Sequence, residues 1–441
     1  MNKKTAQQDS LPGPKAQEEL VRKPPLGWNS YDCFGMLATE SDIEANADHM
    51  AEHLKKYGWE YVVLDYLWFA DRLTALNVRE KNPVQNIDSY GRLIPSTVLH
   101  PSSTGGRGLM PLADYVHGKG LKFGIHIMRG IPFQAVGRNT PVLGTAVRAK
   151  EIANPADNCA WYAGLCGVVV SKKGGQEYYD SIVRLYAEWG VDYIKADDMA
   201  EPYHADEIAA LSRAIKKCGR PIVLSLSPGP TPLAQAKHVR ECANLWRISG
   251  DFWDEWPKVL KQFELCRAWA PHIEPGHWPD ADMLPLGKLS IRTDLKEQKT
   301  RWSRLTKDEQ ITVMSLWSIF RSPLMFGGNM PDNDAFTLSL LTNEEVLAVD
   351  QNSIHNKELR GTDGLTVWTA DTQNSKDKYI ALFNTRDAGP SEVAVTWEEL
   401  GLAGTYGVRD LWARNDLGVF KDKFAAQIPA HGAGLYRIKV R

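Results

Sequence analysis

The sequence lacks the features by which membrane proteins and nucleic-acid-binding proteins are usually recognised. It contains no run of about 18 apolar residues, so we expect no transmembrane helix. Its 52 Lys and Arg residues nearly balance its 54 Asp and Glu residues, and the formal net charge is −2. Because binding to nucleic acid or to an anionic membrane surface depends on excess positive charge, this balance predicts neither partner.

Metal and serine-hydrolase motifs are missing as well. The six cysteines show no CxxC spacing, so we expect no structural zinc site. Cys159 and Cys166 are close enough in sequence for a loop disulfide, and isolated buried thiols are the alternative. The histidines, among them His126, His204 and His277, form no HExxH motif, and no G-x-S-x-G occurs. The sequence therefore predicts no catalytic metal, no cofactor and no serine nucleophile.

The first 23 residues are polar and contain no hydrophobic stretch of the kind found in a signal peptide. They predict a disordered leader. A signal peptide that had been removed and replaced by an initiating Met would leave the same pattern. The compartment therefore stays open, with a periplasmic or secreted location favoured in that case.

Eight short apolar runs alternate with amphipathic helical patterns between residues 24 and 348. The runs begin at Leu26, Tyr61, Leu121, Val191, Ile222, Leu245, Gly276 and Pro323. This order predicts an α/β fold, a (β/α)8 TIM barrel that forms the catalytic domain. A doubly wound open sheet is the alternative, but the first run is not followed by a glycine-rich phosphate loop.

The sequence pattern changes at about residue 349. From there to residue 441, short runs of alternating polarity are separated by turns rich in Gly, Asn and Asp. Such a pattern predicts antiparallel strands with one buried and one solvated face. We therefore expect a second, C-terminal domain built as an antiparallel β-sandwich.

In a TIM barrel the catalytic side chains follow the carboxyl ends of the strands, and here most predicted strands end in polar residues, His126 among them. In the run VDYIKADD, Lys195 and Asp197 share one face of the strand, while Asp198 points to the other. A neighbouring lysine lowers the pKa of a carboxyl group, as a nucleophile requires. A structural ion pair at the strand end is the alternative.

The run LWRISGDFWDEW carries a second candidate carboxyl group. Arg247 ends an apolar strand, and Asp251 follows in a loop beside Phe252 and Trp253. Aromatic surface removes water from a carboxyl group and raises its pKa, as a general acid requires. The alternative makes Asp251 the N-cap of the following helix, a position that Asp254 could take instead.

Two carboxyl groups whose pKa values are pushed apart are what the cleavage of a glycosidic bond requires. A separation of about 5 Å between them would indicate a covalent glycosyl-enzyme and retention of configuration. We therefore expect the partner of this protein to be an oligosaccharide or glycoconjugate substrate.

Several ordered motifs resemble those of glycoside hydrolase family 27, the family of α-galactosidases and α-N-acetylgalactosaminidases. They are PLGWNS, LDxxW, GLKFGIHI, VDYIKADD, NLWRISGDFWDEW, GHWPDADML, LMFGGNM and AVDQN, and they run from about residue 24 to the C-terminus. The resemblance implies a retaining mechanism. It places the nucleophile on Asp197 and the acid/base on Asp251.

The same resemblance implies the residues that bind the sugar. Lys195 and Arg247 would contact hydroxyl groups, with Arg247 near O2. Trp28 and Asp65 would line the pocket at the non-reducing edge of the sugar. Asp282 would support the site.

Two positions depart from the pattern of this family. Tyr66 stands where a second aspartate usually binds O4 and O6 of galactose, and a tyrosine could fill the space of the C6 hydroxymethyl group. A pentopyranose such as β-L-arabinopyranose would tolerate that filling. Ser227 stands in a strand end that usually carries a larger pair of residues, and a small residue leaves room for a 2-acetamido group.

The sequence thus predicts an exo-acting, α-galactosidase-type hydrolase. Tyr66 favours a β-L-arabinopyranosidase and Ser227 favours an α-N-acetylgalactosaminidase as alternatives within the family. A carbohydrate-binding protein on a decayed hydrolase barrel is the alternative from a different functional class. The sequence does not indicate the oligomeric state.

Overall fold

The computed structural model describes residues 20–71, 83–292 and 299–440. Its first part is a curled sheet of eight parallel strands at the positions of the eight apolar runs. They are β1 (Leu26–Asn29), β2 (Tyr61–Leu64), β3 (Lys122–Met128), β4 (Tyr193–Asp197), β5 (Val223–Leu226), β6 (Leu245–Arg247), β7 (Trp278–Asp280) and β8 (Leu324–Phe326).

The strands follow one another around the sheet in chain order, and β8 returns to pair with β1. A parallel bridge between Leu284 and Phe326 joins the chain after β7 to β8. The ladder between β3 and β4 sets His126 opposite Lys195 and Met128 opposite Asp197. The predicted barrel architecture is confirmed, and its register aligns the polar strand ends at one edge.

Helices cover the outside of the sheet. They are α1 (Glu40–His49), α2 (Met110–Gly118), α3 (Gly175–Glu188), α4 (Ala205–Lys217), α5 (Ala236–Cys242), α6 (Trp256–Trp269), α7 (Lys307–Phe320), α8 (Ala335–Leu341) and α9 (Glu344–Asn352). In α3 the buried residues Tyr178, Ile182 and Tyr186 recur at every fourth position and form one face. Thr306 caps α7 by accepting a hydrogen bond from the backbone N–H of Glu309.

The connection between β3 and α3 contains an antiparallel sheet of three short strands, which the sequence pattern did not predict. The strands are Ile131–Pro132, Ala153–Asn158 and Leu165–Val168. A smaller hairpin pairs Lys288–Leu289 with Arg301–Trp302 after β7. Both insertions lie in connections that follow the carboxyl ends of barrel strands.

The chain from Ser353 onward forms the C-terminal antiparallel domain. Its strands are β9 (Ser353–Thr362), β10 (Leu365–Thr372), β11 (Lys378–Asn384), β12 (Ser391–Thr396), β13 (Thr405–Asp410), β14 (Asn415–Lys421), β15 (Lys423–Ile428) and β16 (Gly432–Lys439). Six of them form one sheet, and β12 pairs with β15 in a second. A separate apolar core includes Ile380, Val395 and Ile438, which confirms the predicted sandwich.

Residues 1–19 of the predicted leader lie outside the described residues. Residues 20–23 are described, and Val21 is buried where its carbonyl accepts a hydrogen bond from Nε1 of Trp278. All six cysteines are free, so Cys159 and Cys166 are separate thiols. None of the described helices is long and apolar enough to cross a membrane.

Candidate active site

The carboxyl ends of the barrel strands surround a pocket with an empty volume of about 550 Å³. Most of the residues predicted from the sequence line it. They are Asp65, Tyr66, His126, Lys195, Asp197, Arg247, Asp251 and Asp282. The pocket therefore gathers side chains from strands that lie far apart in the sequence, as expected for the active site of a barrel enzyme.

Asp197 is the last residue of β4, and two hydrogen bonds hold its carboxyl group in place. Nε2 of His126 lies 3.0 Å from its Oδ2, and the backbone N–H of Asp198 donates to its Oδ1 at 2.9 Å. Burial raises the pKa of Asp197. The hydrogen bond from His126 and the charges of His126 and Lys195 outweigh this, so the pKa lies below its usual value. The sequence suggested Lys195 as the controlling group, whereas the structure gives the larger part to His126.

Lys195 is paired with Asp65 rather than with Asp197. Its Nζ lies 2.9 Å from Oδ2 of Asp65, and the side-chain amide of Asn29 donates to the same oxygen at 2.6 Å. Burial raises the pKa of Asp65, but the charges of Lys195 and His126 and these hydrogen bonds bring it well below its usual value. The pocket thus holds a charged Asp65–Lys195 pair beside Asp197, suited to binding sugar hydroxyl groups.

Asp198 points away from the pocket, as the alternation along the strand predicted. It pairs with Arg129 at 2.9 Å, and the same guanidinium contacts Asp157 and Glu207 at 2.8 and 2.6 Å. Asp157, His204 and Glu207 place ligand-type atoms within 4.8 Å of one another. Because Arg129 already neutralises both of those carboxylates, this cluster is a buried ion network rather than a candidate metal centre.

Asp251 stands at the rim of the pocket. Its Oδ1 lies 3.3 Å from Arg247, and its side chain is 70% exposed. The predicted desolvation by neighbouring aromatic residues is therefore absent from the structure. The N-cap alternative is also wrong, because α6 begins after Glu255, and Asp254 pairs with Arg301 instead.

Asp282 holds the loop that carries Asp251. Its Oδ2 lies 2.6 Å from Arg247 and accepts the backbone N–H of Phe252 at 2.7 Å, and its Oδ1 accepts the N–H of Met283. Burial raises the pKa of Asp282 to about 6, although Arg247 lowers it. The supporting role predicted for Asp282 thus has a structural basis, since it fixes both Arg247 and the peptide that follows Asp251.

Tyr66 lies on the pocket wall next to Asp65. Its ring contacts those of His126, Tyr162 and Tyr31, with centroids 5.3, 5.8 and 6.4 Å away. Its hydroxyl group is buried, and burial raises the pKa of this phenol well above its usual value. The aromatic contacts fix the ring as part of the wall.

Two predicted residues do not reach the pocket surface. Trp28 is fully buried, and its Nε1 donates to the carbonyl of Gly328 at 2.8 Å. Ser227 is 2% exposed and does not line the pocket. Tyr31, three residues after Trp28, lines it instead. The cause is that Trp28 lies inside β1, whereas Tyr31 begins the helical turn that follows the strand.

Other pocket residues were not singled out from the sequence as sugar contacts. Trp161 comes from the antiparallel insertion, and Trp253 from the loop after β6. Asp32 follows Tyr31 in the helical turn Tyr31–Phe34. The aromatic pair next to Asp251 was the only available signal for Trp253. No sequence pattern indicates which side chains of such loops turn inward.

The chain matches two family models. The family model of alpha galactosidase A matches residues 162–352, and that of the alpha galactosidase C-terminal beta sandwich domain matches residues 362–438. An alpha-galactosidase of Oryza sativa subsp. japonica is 27% identical over 426 residues, which cover 95% of this chain and 85% of the relative.

Two solved structures are more similar in sequence. A family 27 β-L-arabinopyranosidase from Geobacillus stearothermophilus is 46% identical, with a TM-score of 0.93 and coverage of 96% of this chain and 98% of the other. A Bacillus halodurans protein named as a candidate α-N-acetylgalactosaminidase is 43% identical, with a TM-score of 0.85 and coverage of 95% and 97%. The chain therefore belongs to glycoside hydrolase family 27, the α-galactosidase family, and is a glycoside hydrolase.

Proposed function

We propose that this enzyme releases terminal β-L-arabinopyranose from glycosides with retention of configuration. This sugar has the hydroxyl arrangement of α-D-galactopyranose but lacks the C6 hydroxymethyl group. The observation that carries the proposal is Tyr66, a fixed aromatic side chain on the pocket wall beside Asp65. The phenol occupies space that a hydroxymethyl group would need, and a pentopyranose leaves that space free.

The mechanism assigns one role to each catalytic aspartate. Asp251 protonates the glycosidic oxygen while Asp197, ionised at its lowered pKa, attacks the anomeric carbon and forms a glycosyl ester. Asp251, now a carboxylate, then removes a proton from water, which attacks the anomeric carbon and releases Asp197. Two inversions at one carbon give net retention.

The remaining polar groups position the sugar and the acid/base. Asp65 and Lys195 offer an acceptor and a donor to adjacent hydroxyl groups. Arg247 is held by Asp282 and lies between Asp282 and the Asp251 loop. The exposure of Asp251 suits a group that must reach the leaving-group oxygen and later a water molecule.

Hydrolysis of α-D-galactosides is the second candidate. The Asp65–Lys195 pair is compatible with it, because this pair would bind hydroxyl groups that both sugars share. The relative from Oryza sativa subsp. japonica is named an alpha-galactosidase, which favours this candidate. The α-N-acetylgalactosaminidase alternative has less support, because Ser227 lies behind the pocket surface and opens no space for an acetamido group.

Substitution of Tyr66 tests the proposal. Tyr66→Ala should raise the ratio of kcat/KM for an aryl α-D-galactoside to kcat/KM for the β-L-arabinopyranoside by about 10-fold or more. The reason is that room for one methylene-sized group in a pocket changes the discrimination in kcat/KM by about 10–200-fold. Tyr115→Ala is the matched control, since the Tyr115 hydroxyl donates a hydrogen bond to Asp48 outside the pocket. An unchanged ratio in the Tyr66 variant would show that the ring does not exclude the hydroxymethyl group.

A further inference from the structure

One carboxyl group in the pocket has no part in the mechanism above. Asp32 lines the pocket from the helical turn after β1 and is only 6% exposed. Its Oδ2 is buried and has no hydrogen-bond partner in the described part of the chain. Burial raises the pKa of Asp32, and the charges of Asp282 and Asp65 raise it further, although Lys195 opposes them. The neutral acid, which can both donate and accept a hydrogen bond, is therefore favoured.

A buried polar atom without a partner destabilises a fold, so its presence calls for an explanation. The surrounding structure provides space for this carboxyl group. A Cβ atom at Gly327 would lie 2.1 Å from Oδ2 of Asp32. Gly327 is not among the residues with positive φ, so its backbone does not itself require glycine. The glycine after β8 instead accommodates the Asp32 side chain.

The position of Asp32 relates it to one side of a bound sugar. Its turn follows β1, which pairs with β2 and β8, whereas Asp197 ends β4 farther around the sheet. Asp65, immediately after β2, is tied to the end of β1, because its backbone N–H donates to Oγ of Ser30 and its carboxylate accepts from Asn29, so it lies on the same side of the pocket as Asp32. A sugar whose anomeric carbon faces Asp197 turns its C3 and C4 hydroxyl groups toward this side.

We propose that Asp32 is a further sugar-binding residue, whose carboxyl group hydrogen-bonds a hydroxyl at C3 or C4 and helps to select the configuration of the pyranose. This inference deepens the proposed function and rests on it only for the placement of a pyranose ring in this pocket. It holds for either candidate sugar, because arabinopyranose and galactopyranose share these hydroxyl groups. The bound sugar then gives the Asp32 carboxyl group a hydrogen-bond partner from the pocket side.

Asp32→Asn and Asp32→Ala test this role through binding and stability together. Asp32→Ala should raise KM about 10-fold or more and weaken the binding of free L-arabinose measured by calorimetry, since a site built for a hydroxyl loses affinity when its partner is removed. Asp32→Asn keeps a donor and an acceptor and should lose less. The Tm of Asp32→Ala without sugar should equal or exceed that of the wild type, because an unpaired buried carboxyl group is removed. Asp48→Asn, at a half-exposed position in α1, is the control for both measurements.

A purely structural Asp32 would give the opposite pattern, with a lowered Tm and an unchanged KM in the properly folded fraction. That result would overturn the inference. Gly327→Ala provides a second variant that keeps Asp32. It should displace the carboxyl group and reproduce the increase in KM. A wild-type KM in both Gly327→Ala and Asp32→Ala would also count against the proposal.

Deoxy substrates identify the contact directly. Aryl glycosides lacking the 3- or the 4-hydroxyl should react more slowly with the wild type, and Asp32→Ala should abolish most of that difference at one of the two positions. Additive losses at both positions would overturn the inference while leaving the proposed function intact. If the wild type neither binds nor cleaves either sugar, the proposed function and this inference fail together.

Discussion

His126 determines the ionisation of Asp197, the proposed nucleophile, more directly than any other side chain. It lies 3.0 Å from Asp197, and its hydrogen bond and charge lower the pKa of that carboxyl group. Asp197 must be ionised to attack. The acidic limb of the pH–activity profile should therefore report the pKa of Asp197.

Replacing His126 by alanine should move that limb to higher pH. Without the hydrogen bond the pKa of Asp197 rises, so activity is lost earlier as the pH falls. The pH dependence of kcat/KM, which reports the free enzyme, measures the shift. His277→Ala is the control, because Nδ1 of His277 forms a hydrogen bond with the carbonyl of Ala243 outside the pocket. An acidic limb that stays in place in the His126 variant would contradict this account of Asp197.

The two aspartates proposed as catalytic should respond differently to substitution. Asp197→Ala should abolish turnover, and azide or formate should restore it with a product of inverted configuration. Asp251→Ala should lose about 10²–10⁴-fold on substrates with poor leaving groups and far less on those with activated leaving groups, which need no proton. Near-normal turnover by Asp197→Ala would show that the nucleophile is elsewhere.

At this scale, most of the residues predicted from the sequence line the pocket, and the exceptions have two physical causes. Residues such as Asp197 and Arg247 end strands, where period-two alternation fixes the direction of each side chain. Tyr31 and Asp32 lie in a helical turn, whose orientation depends on tertiary packing. Trp28 was misplaced because a tryptophan within a barrel strand can pack inward as core.

At the scale of elements, the eight strands were predictable because each is a short apolar run bounded by polar residues. The antiparallel insertion between β3 and α3 was not, since its strand Ala153–Asn158 has no apolar alternation and only its first residue is buried. This insertion supports the site. Asp157, at its edge, joins the ion network around Arg129, which connects the chain after β3 to the chain after β4 and to α4.

Arg129→Met should therefore destabilise the barrel strongly. Removing the guanidinium leaves Asp198 and Glu207 buried without their cation, and such losses cost about 3–5 kcal/mol. The free energy of unfolding, measured with denaturant, tests this. Lys237→Ala, in an exposed pair with Glu241, should change it by about 0.5 kcal/mol or less. A similarly small effect for Arg129→Met would mean that the network contributes little.

At the scale of the molecule, the C-terminal domain packs on the barrel through α7. Thr312 of this helix donates to the carbonyl of His431 at 2.6 Å, and Nε1 of Trp412 donates to Ser315 at 2.9 Å. Phe263 of α6 also packs against Phe383, with ring centroids 5.0 Å apart. The apolar core of the barrel is continuous with one side of the sandwich.

Deletion of residues 353–441 should therefore leave the barrel insoluble or unfolded, because it exposes the face of α7 that the second domain now covers. Soluble yield and size-exclusion chromatography measure the outcome. Full-length protein with Trp412→Phe, which loses one hydrogen bond at the same interface, should stay soluble. A soluble truncated barrel with wild-type activity would show that the domains are stable independently.

The choice of sugar is the property that depends on the whole pocket. The chemistry proposed for Asp197 and Asp251 would serve any galactose-like pyranoside, whereas Tyr66 and its aromatic neighbours restrict the space beside Asp65. Retention should follow for every substrate. Proton NMR of the first sugar released would show the same anomeric configuration as the substrate.

The most direct test is the hydrolysis of three nitrophenyl glycosides by the wild-type enzyme under identical conditions: the β-L-arabinopyranoside, the α-D-galactoside and the α-N-acetyl-D-galactosaminide. We predict the highest kcat/KM for the β-L-arabinopyranoside, a lower value for the α-D-galactoside, and little or no cleavage of the α-N-acetylgalactosaminide. A preference for either hexoside would contradict the role assigned to Tyr66. Cleavage of none of the three would contradict the proposed function as a whole.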